Sequence, residues 1–582
     1  MAGWGREIVT LQCGHYSNFV GTHIWNIQES TFLYDENPAA VVSKEINHDV
    51  LYREGRTMTG AVTYTPRLVT LDLKGSLNTL KAEGVLYDYQ TKEDIKWEGD
   101  VTLHEEKAPP KNEFLSDLDA QDMLLDDTQQ RPKKTDDQST PETDTMEVQG
   151  PPPEGQSSPG QPMTAKPAKV YRLDESIDVW SDFLHGHLHP KTVTVIKEHA
   201  HGSEIDPFGL FTKGRSLLTK KDVAEDIENR LHFFVEECDH LQGFQVLVDF
   251  YDGFGGLGSS LVESLADEYR GKGIMAIGVA PAVFTTNTHT ADNHRLINSV
   301  LAFQRLSEQS SILLPLSLAS SLWRKVGMPA KFQNVHYKPS LAYHTSAILA
   351  SSLDTATLPY RVADDPISLS VLTEALANLG RKVSMLSTSF PLPFPDHGYL
   401  AGVLGSYTQN PPWTTLMPHT RKGANVQPFA QSVVLRGVPM DRIYTPGRQP
   451  QNALESCRSV NEMLKCYLTG MYTRTLSSGL CVNQPLKTAA PFPHIFDPRM
   501  SREGFLQDWQ RREEEVVESL PMMTSLQTSP SAQEMLSHLV KEAGKLDIRK
   551  CHGFLEDGLE QDEYSEALSS LEGLAHCYEQ CA

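Results

Sequence analysis

The sequence predicts an α/β protein: a parallel-sheet domain of nucleotide-binding type, a second α+β domain and C-terminal helices. Three observations lead there. Ile8, Val9 and Leu11 form the apolar run of a buried strand, which enters a polar turn at Gly14, with Asn18 where a helix cap would sit. Further on, strand Gln245 to Phe250, the glycine turn Asp252-Gly253-Phe254-Gly255-Gly256-Leu257-Gly258, helix Ser259 to Tyr269 and strand Ile274 to Val279 make a βαβ unit. Between the two lies a stretch from about 105 to 169 with 14 acids, 7 bases, ten prolines, no Ile and a single Val, which reads as a disordered insertion.

Taken in order, residues 1–104 are the first part of the N-terminal domain, and Leu68 to Leu73 is a short buried strand carrying Asp72 near its end. Within the insertion, Pro151-Pro152-Pro153, Thr140-Pro141 and Ser158-Pro159 suggest an extended tether open to phosphorylation. Phe114, Leu115, Leu118, Met123, Leu124 and Leu125 alternate with acids there, and a solvated linker is the reading favoured over a short partner-binding helix. Residues 170–354 complete the first domain. In them Asp222 to Cys238 has helical spacing, with Val223, Ile227, Leu231, Phe234 and Val235 on one stripe, and Asn298 opens a helix over Ser299 to Glu308.

A second domain is expected over 355–490, from helix-spaced Leu369, Leu372, Leu376 and Leu379, strand Val383 to Thr388, and strand Gln431 to Arg436. From 491 to 582 the chain reads as helical, with Phe505 to Leu520 rich in Arg and Glu and Ala532 to Lys545 amphipathic. Covering the second sheet is the use expected of these helices.

Composition bounds the function. The 582 residues carry a formal charge of −23, which argues against nucleic acid as a partner, because phosphate contacts need a basic face. The eight cysteines form no C-x-x-C pair and no secretory leader precedes them, so a reduced, cytosolic protein is expected. No apolar run reaches the roughly 18 residues of a spanning helix; membrane attachment is expected to be peripheral.

Three readings compete for the glycine turn. Gly253, Gly255 and Gly258 satisfy G-x-G-x-x-G, but the next strand ends in Val279-Ala280-Pro281-Ala282 without the acid a dinucleotide ribose needs. The same spacing suits a P-loop, except that Ser259 stands in place of the lysine. The third reading is a phosphate loop of another kind, weighed evenly against a glycine turn that only packs a helix on a sheet. Histidines form a separate candidate: His185, His187 and His189 would share one face of a strand, and His199 and His201 repeat the spacing. No Cys or second acid completes a tetrahedral set, so these read as exposed or core histidines and no metal ligand is assigned. Neither G-x-S-x-G nor H-E-x-x-H occurs, which removes the hydrolase and protease readings.

The segment Arg6 to Trp25 resembles the first strand, phosphate loop and first helix of tubulins, REIV-x-x-Q-x-G-x-x-x-N-x-x-G-x-x-x-W, without a gap. Tyr64 to Leu73 resembles the tubulin Y-x-P-R-x-V-x-x-D-L, and Leu241 to Phe244 with Asp267-Glu268-Tyr269 brackets the glycine turn as LQGF and an acid-Tyr pair do in that family. The resemblance implies a tubulin/FtsZ-like fold, with a nucleotide pocket at Gly14, His15, Asn18, Asp72, Lys74, Gly253, Gly255, Gly256, Gly258 and Asn298. His15 and Tyr16 stand where tubulins have Gln and Cys, Lys74 replaces a metal-organising Glu, and Asp252 and Phe254 alter the loop. A carboxylate and a ring where amides should receive phosphate add repulsion and bulk. GTP is the cofactor the resemblance admits. Asp364 and Asp365 fall near the place of the superfamily's water-activating acid, and solvated loop acids are the favoured reading.

With its acidic insertion, altered phosphate loops and divergent C-terminal half, the chain is identified by resemblance as a member of the Misato family. That implies a role in mitochondrial distribution, morphology and fusion, in the cytoplasm or peripherally on the mitochondrial outer membrane, with partners in the fusion machinery or cytoskeleton. A non-catalytic scaffold is the preferred mechanism. A divergent, self-associating GTPase and a chaperone-assisted tubulin assembly factor stay open beside it.

Overall fold

A computed structural model of the chain describes residues 6–32, 45–56, 62–80, 110–129, 169–203, 207–286, 288–408, 410–420, 426–444 and 452–579. Its first sheet has six parallel strands in the order β5-β4-β1-β6-β7-β8: Val193–Ala200, Leu68–Lys74, Glu7–Cys13, Leu241–Asp249, Gly273–Val279 and Ile312–Leu316. A hairpin of β2 (Tyr52–Arg56) and β3 (Val62–Pro66) stands beside it. The central strands β1 and β7 are buried along their whole length because helices cover both faces. Val9, Leu11 and Cys13 share one core with α4 (Lys221–Glu236), α5 (Gly253–Glu268) and α6 (His289–Gln309). Ile8, Leu247 and Ile277 face the other way, towards α1 (His15–Glu29) and α7 (Ala342–Ala356). The short α3 (Phe211–Leu217) packs against α5.

The second sheet is mixed, in the order β10-β9-β15-β11-β12, built from Thr414–Thr415, Met385–Ser389, Met522–Thr528, Ala430–Arg436 and Leu476–Val482. Helices α8 (Leu369–Leu376), α9 (Leu400–Ser406) and α10 (Val460–Met471) accompany it. Between the domains runs α7, with every residue from Tyr343 to Ala356 buried, so the boundary expected at 354/355 falls inside a continuous helix. Asp354 near its end accepts from Arg361 Nη2 at 2.9 Å, Arg436 Nη1 at 2.8 Å and Gln28 Nε2 at 3.1 Å, joining α1, α7 and β11 in one buried network. Burial opposes the charge of Asp354, but the two guanidiniums outweigh it and hold its pKa below the ordinary carboxylate value.

Several expectations are corrected. Within 105–169, residues Glu113–Gln129 form α2, and Phe114 is buried edge-on to Tyr171 at 5.4 Å between ring centroids. Apolar burial at the start of the segment outweighs its acidic composition. The proline pairs at 140–159 lie outside the described residues. Nor is 491–530 helical: β14 (Ser519–Leu520) pairs with β13 (Leu486–Lys487), and β15 lies between β9 and β11 with all seven residues buried. In the Arg- and Glu-rich stretch, Arg511 donates to the carbonyls of Glu515 and Met500, so loop contacts override helix propensity. Leu379 leaves its helical stripe, with φ 59° and an exposed side chain.

Helices begin again at α11 (Ser531–Ala543), followed by α12 (His552–Glu556) and α13 (Gln561–His576). They cover α6 of the first domain, contrary to the expectation that they cover the second sheet. Glu563 accepts from both Arg215 and Arg305, which fixes α13 to α3 and α6. No helix among the described residues is long and apolar enough to cross a membrane.

Candidate functional site

Ligands of parallel α/β sheets bind beyond the C-terminal strand ends, where β1, β4 and β6 finish at Cys13, Lys74 and Asp249. Gly14 turns the chain into α1 with φ 123°, a conformation that favours glycine. A Cβ there would lie 2.4 Å from Asp249 Cγ. No side chain of α1 caps its first turn. Asp249 does so instead: Oδ2 accepts from Tyr16 N at 2.9 Å, and Oδ1 accepts from Ser17 N at 2.8 Å and Ser17 Oγ at 2.7 Å. A carboxylate of the chain itself thus holds the place where helix amides would receive an anion.

The glycine turn is the opening of α5, corrected from the expected loop. Asp252 caps it, accepting from Phe254 N at 2.9 Å. The glycines admit close neighbours: a Cβ on Gly256 would lie 1.9 Å from the carbonyl oxygen of Phe211, and one on Gly214 would lie 1.7 Å from that of Gly253. A Cβ on Gly253 would lie 2.8 Å from Phe208 and one on Gly258 2.7 Å from Val248, and Gly255 lies against the Phe250 carbonyl. Helix α3 and the segment before it therefore cover α5. Asn298, in mid-helix of α6 and not at its start, reads this cover: Oδ1 accepts from Phe211 N at 2.9 Å, and Nδ2 donates to the carbonyls of Gly209 and Tyr251, each at 2.8 Å. Its side-chain amide is fully used by backbone.

Two buried acids, Asp249 and Asp72, and the half-buried Asp252 share the crevice. Burial raises Asp249, to about 7, despite the bonds from Ser17 and Tyr16; the Tyr251 hydroxyl is a fourth donor, to Oδ2 at 3.3 Å. Asp252 is raised well above the ordinary value, by burial and then by repulsion from Asp249. Asp72 behaves oppositely. Burial would raise it, but His15, the Leu73 amide and Asn18 together hold it below the ordinary value. Its Oδ2 accepts from Asn18 Nδ2 at 3.1 Å and Trp180 Nε1 at 2.9 Å, with His15 Nδ1 3.1 Å away. A guanosine triphosphate does not fit these residues, since carboxylates stand at the amides of α1 and α5 and the α3 segment lies on the glycine helix.

Residues 6–120 match the Misato Segment II tubulin-like domain, and residues 171–362 match the Tubulin domain. Protein misato homolog 1 of Danio rerio is 39% identical over 595 residues, spanning 100% of this chain and 98% of the relative. The Homo sapiens protein of that name is 38% identical over 586 residues, spanning 100% and 99%. The chain belongs to the Misato family. Protein misato of Drosophila melanogaster is 31% identical over 581 residues, spanning 97% of each.

In this Misato-family chain the tubulin-like fold is retained, and the expected pocket residues divide. Gly14, His15, Asn18 and Asp72 meet at one point, whereas Gly253, Gly255, Gly256, Gly258 and Asn298 serve packing between α3, α5 and α6. Lys74 is exposed and contributes a backbone carbonyl, which accepts from His201 N at 2.8 Å. Asp364 and Asp365 are exposed loop acids. His185 to His189 do not form a strand: His189 stacks on Phe233, and His185 Nδ1 lies 3.6 Å from Glu29. Sequence reasoning missed Asp249, Trp180 and Phe211. An acid closing a buried strand just before a glycine run is the signal that could have found Asp249.

Proposed function

We propose that this chain is a non-catalytic tubulin-like scaffold acting in mitochondrial distribution, morphology and fusion, peripheral to the cytosolic face of the mitochondrial outer membrane and working through protein partners. One observation carries the non-catalytic half. Asp249 occupies the Tyr16 and Ser17 amides in the first turn of α1, the position at which a tubulin-like pocket would seat phosphate, so nucleotide entry would set a triphosphate against a buried carboxyl group. The mitochondrial half rests on Misato-family membership and on what the family resemblance implies.

Equilibrium dialysis of the purified chain against labelled magnesium-GTP tests the first half, with no saturable binding and no turnover expected. Saturable binding with hydrolysis would replace the scaffold by a divergent GTPase. Depleting the protein in cells tests the second half: a collapsed or fragmented mitochondrial network is expected. An unchanged network, with tubulin co-purifying, would move the reading to tubulin assembly.

A further inference from the structure

The fold joins two histidines that the sequence keeps far apart. His201 follows β5, and the hydrogen bond its amide donates to the Lys74 carbonyl fixes it at the end of β4. Its ring lies 3.9 Å from that of His15, centroid to centroid, with the planes 31° apart. His15 in turn faces Asp72. One ligand atom from each of His15, Asp72 and His201 lies within 4.8 Å of the others, and this is the one such group of His, Cys, Asp or Glu among the described residues.

Two further features suit a cation. Asp72 is held in orientation by Trp180, Asn18 and the Leu73 amide, as metal-binding carboxylates are by their outer partners. In addition, Asp72 is fully buried, and among the described residues no lysine or arginine forms an ion pair with it. His201 is exposed and His15 half-buried, so an ion has a path from solvent.

The geometry points to a divalent transition-metal site of zinc type, ligated by His15, His201 and Asp72, with a fourth position open to water. Two imidazoles and a carboxylate suit such an ion. Tetrahedral ligation would bring the ligand atoms to about 3.3 Å from one another, a small closure for an exposed imidazole. The bound ion would clamp the end of β5 to the start of α1 and offset the charge of the buried Asp72. The site shares His15 and Asp72 with the expected nucleotide pocket, but its ligation requires no nucleotide.

The test uses the purified full chain, stripped with a chelator and titrated with Zn2+ by calorimetry and with Co2+ by visible absorption. One equivalent is expected, with a tetrahedral or five-coordinate cobalt spectrum. His201→Ala and His15→Ala should each weaken binding by at least about tenfold, whereas His185→Ala leaves it unchanged. Zinc should raise the unfolding temperature of the parent but not of His201→Ala, whose exposed side chain can be lost without harm to the metal-free fold. Absence of saturable binding would overturn the site. So would binding, or zinc-induced stabilisation, that survives His201→Ala.

Discussion

Replacing Asp249 by alanine removes the acceptor of three donors at the start of α1. The Ser17 hydroxyl can turn elsewhere, but the buried amides of Tyr16 and Ser17 cannot. An unsatisfied buried donor costs about 1–3 kcal/mol, so the two amides set a loss of roughly 2–6 kcal/mol. Relief of the repulsion between Asp249 and Asp252 reduces it. A net loss of about 2–4 kcal/mol leaves a domain of ordinary stability, about 5–15 kcal/mol, still folded. The same change uncovers a vacant anion position at a helix N-terminus. Inorganic phosphate binding there with a Kd of about 1 mM would return about 1.8 kcal/mol at 20 mM. Urea unfolding with phosphate or chloride at matched ionic strength reads both effects: a lowered midpoint in the variant, partly restored by phosphate, and no phosphate effect on the parent. An unchanged midpoint in Asp249→Ala, or equal phosphate stabilisation of both proteins, would refute the claim that this carboxylate fills the anion position.

Asp354→Ala strands Arg361 and Arg436 in the interior, and a loss of about 3–5 kcal/mol in unfolding free energy is expected by denaturant titration. Asp252→Asn keeps an N-cap but removes an acid whose folded pKa is raised by burial and by Asp249 and Asp72. A raised acid stabilises fully below its unfolded value, about 4, and loses that contribution as pH rises through the folded value. The parent should therefore weaken from about pH 4 through neutrality and beyond, where Asp249 at about 7 also titrates, and Asp252→Asn should flatten the alkaline part of the profile. Gly256→Ala drives a methyl into the Phe211 carbonyl and should cost at least about 2 kcal/mol. Gly402→Ala, in open space within α9, should be neutral or stabilise by up to about 1 kcal/mol; thermal melts of the pair compare them.

The strands of the first sheet were legible because parallel strands buried on both faces read as short continuous apolar runs, as at Ile8 to Leu11 and Ile274 to Val279. Helix α4 was legible for the opposite reason, its stripe Ile227, Leu231 and Phe234 repeating at the helical period. Two regions misled. Residues 505–520 carry strong helix formers, yet Arg511 pins two loop carbonyls, and the glycines of α5 suggested a loop although they serve a helix packed too closely for side chains. Composition reports local preference, and both outcomes depended on distant partners.

By itself the sequence determined the tubulin-like architecture, the strand carrying Asp72, the helix from Ser259 onward and the loss of the expected phosphate-site residues at His15, Tyr16 and Lys74. Those follow from local pattern and residue identity. Only the tertiary structure decided what replaced the phosphate: it brought Asp249 to α1 across 232 residues, laid Phe211 over the glycines and set His201 beside His15. Such pairings arise where strands far apart in the chain end side by side, and no local period or motif encodes which side chains will meet there.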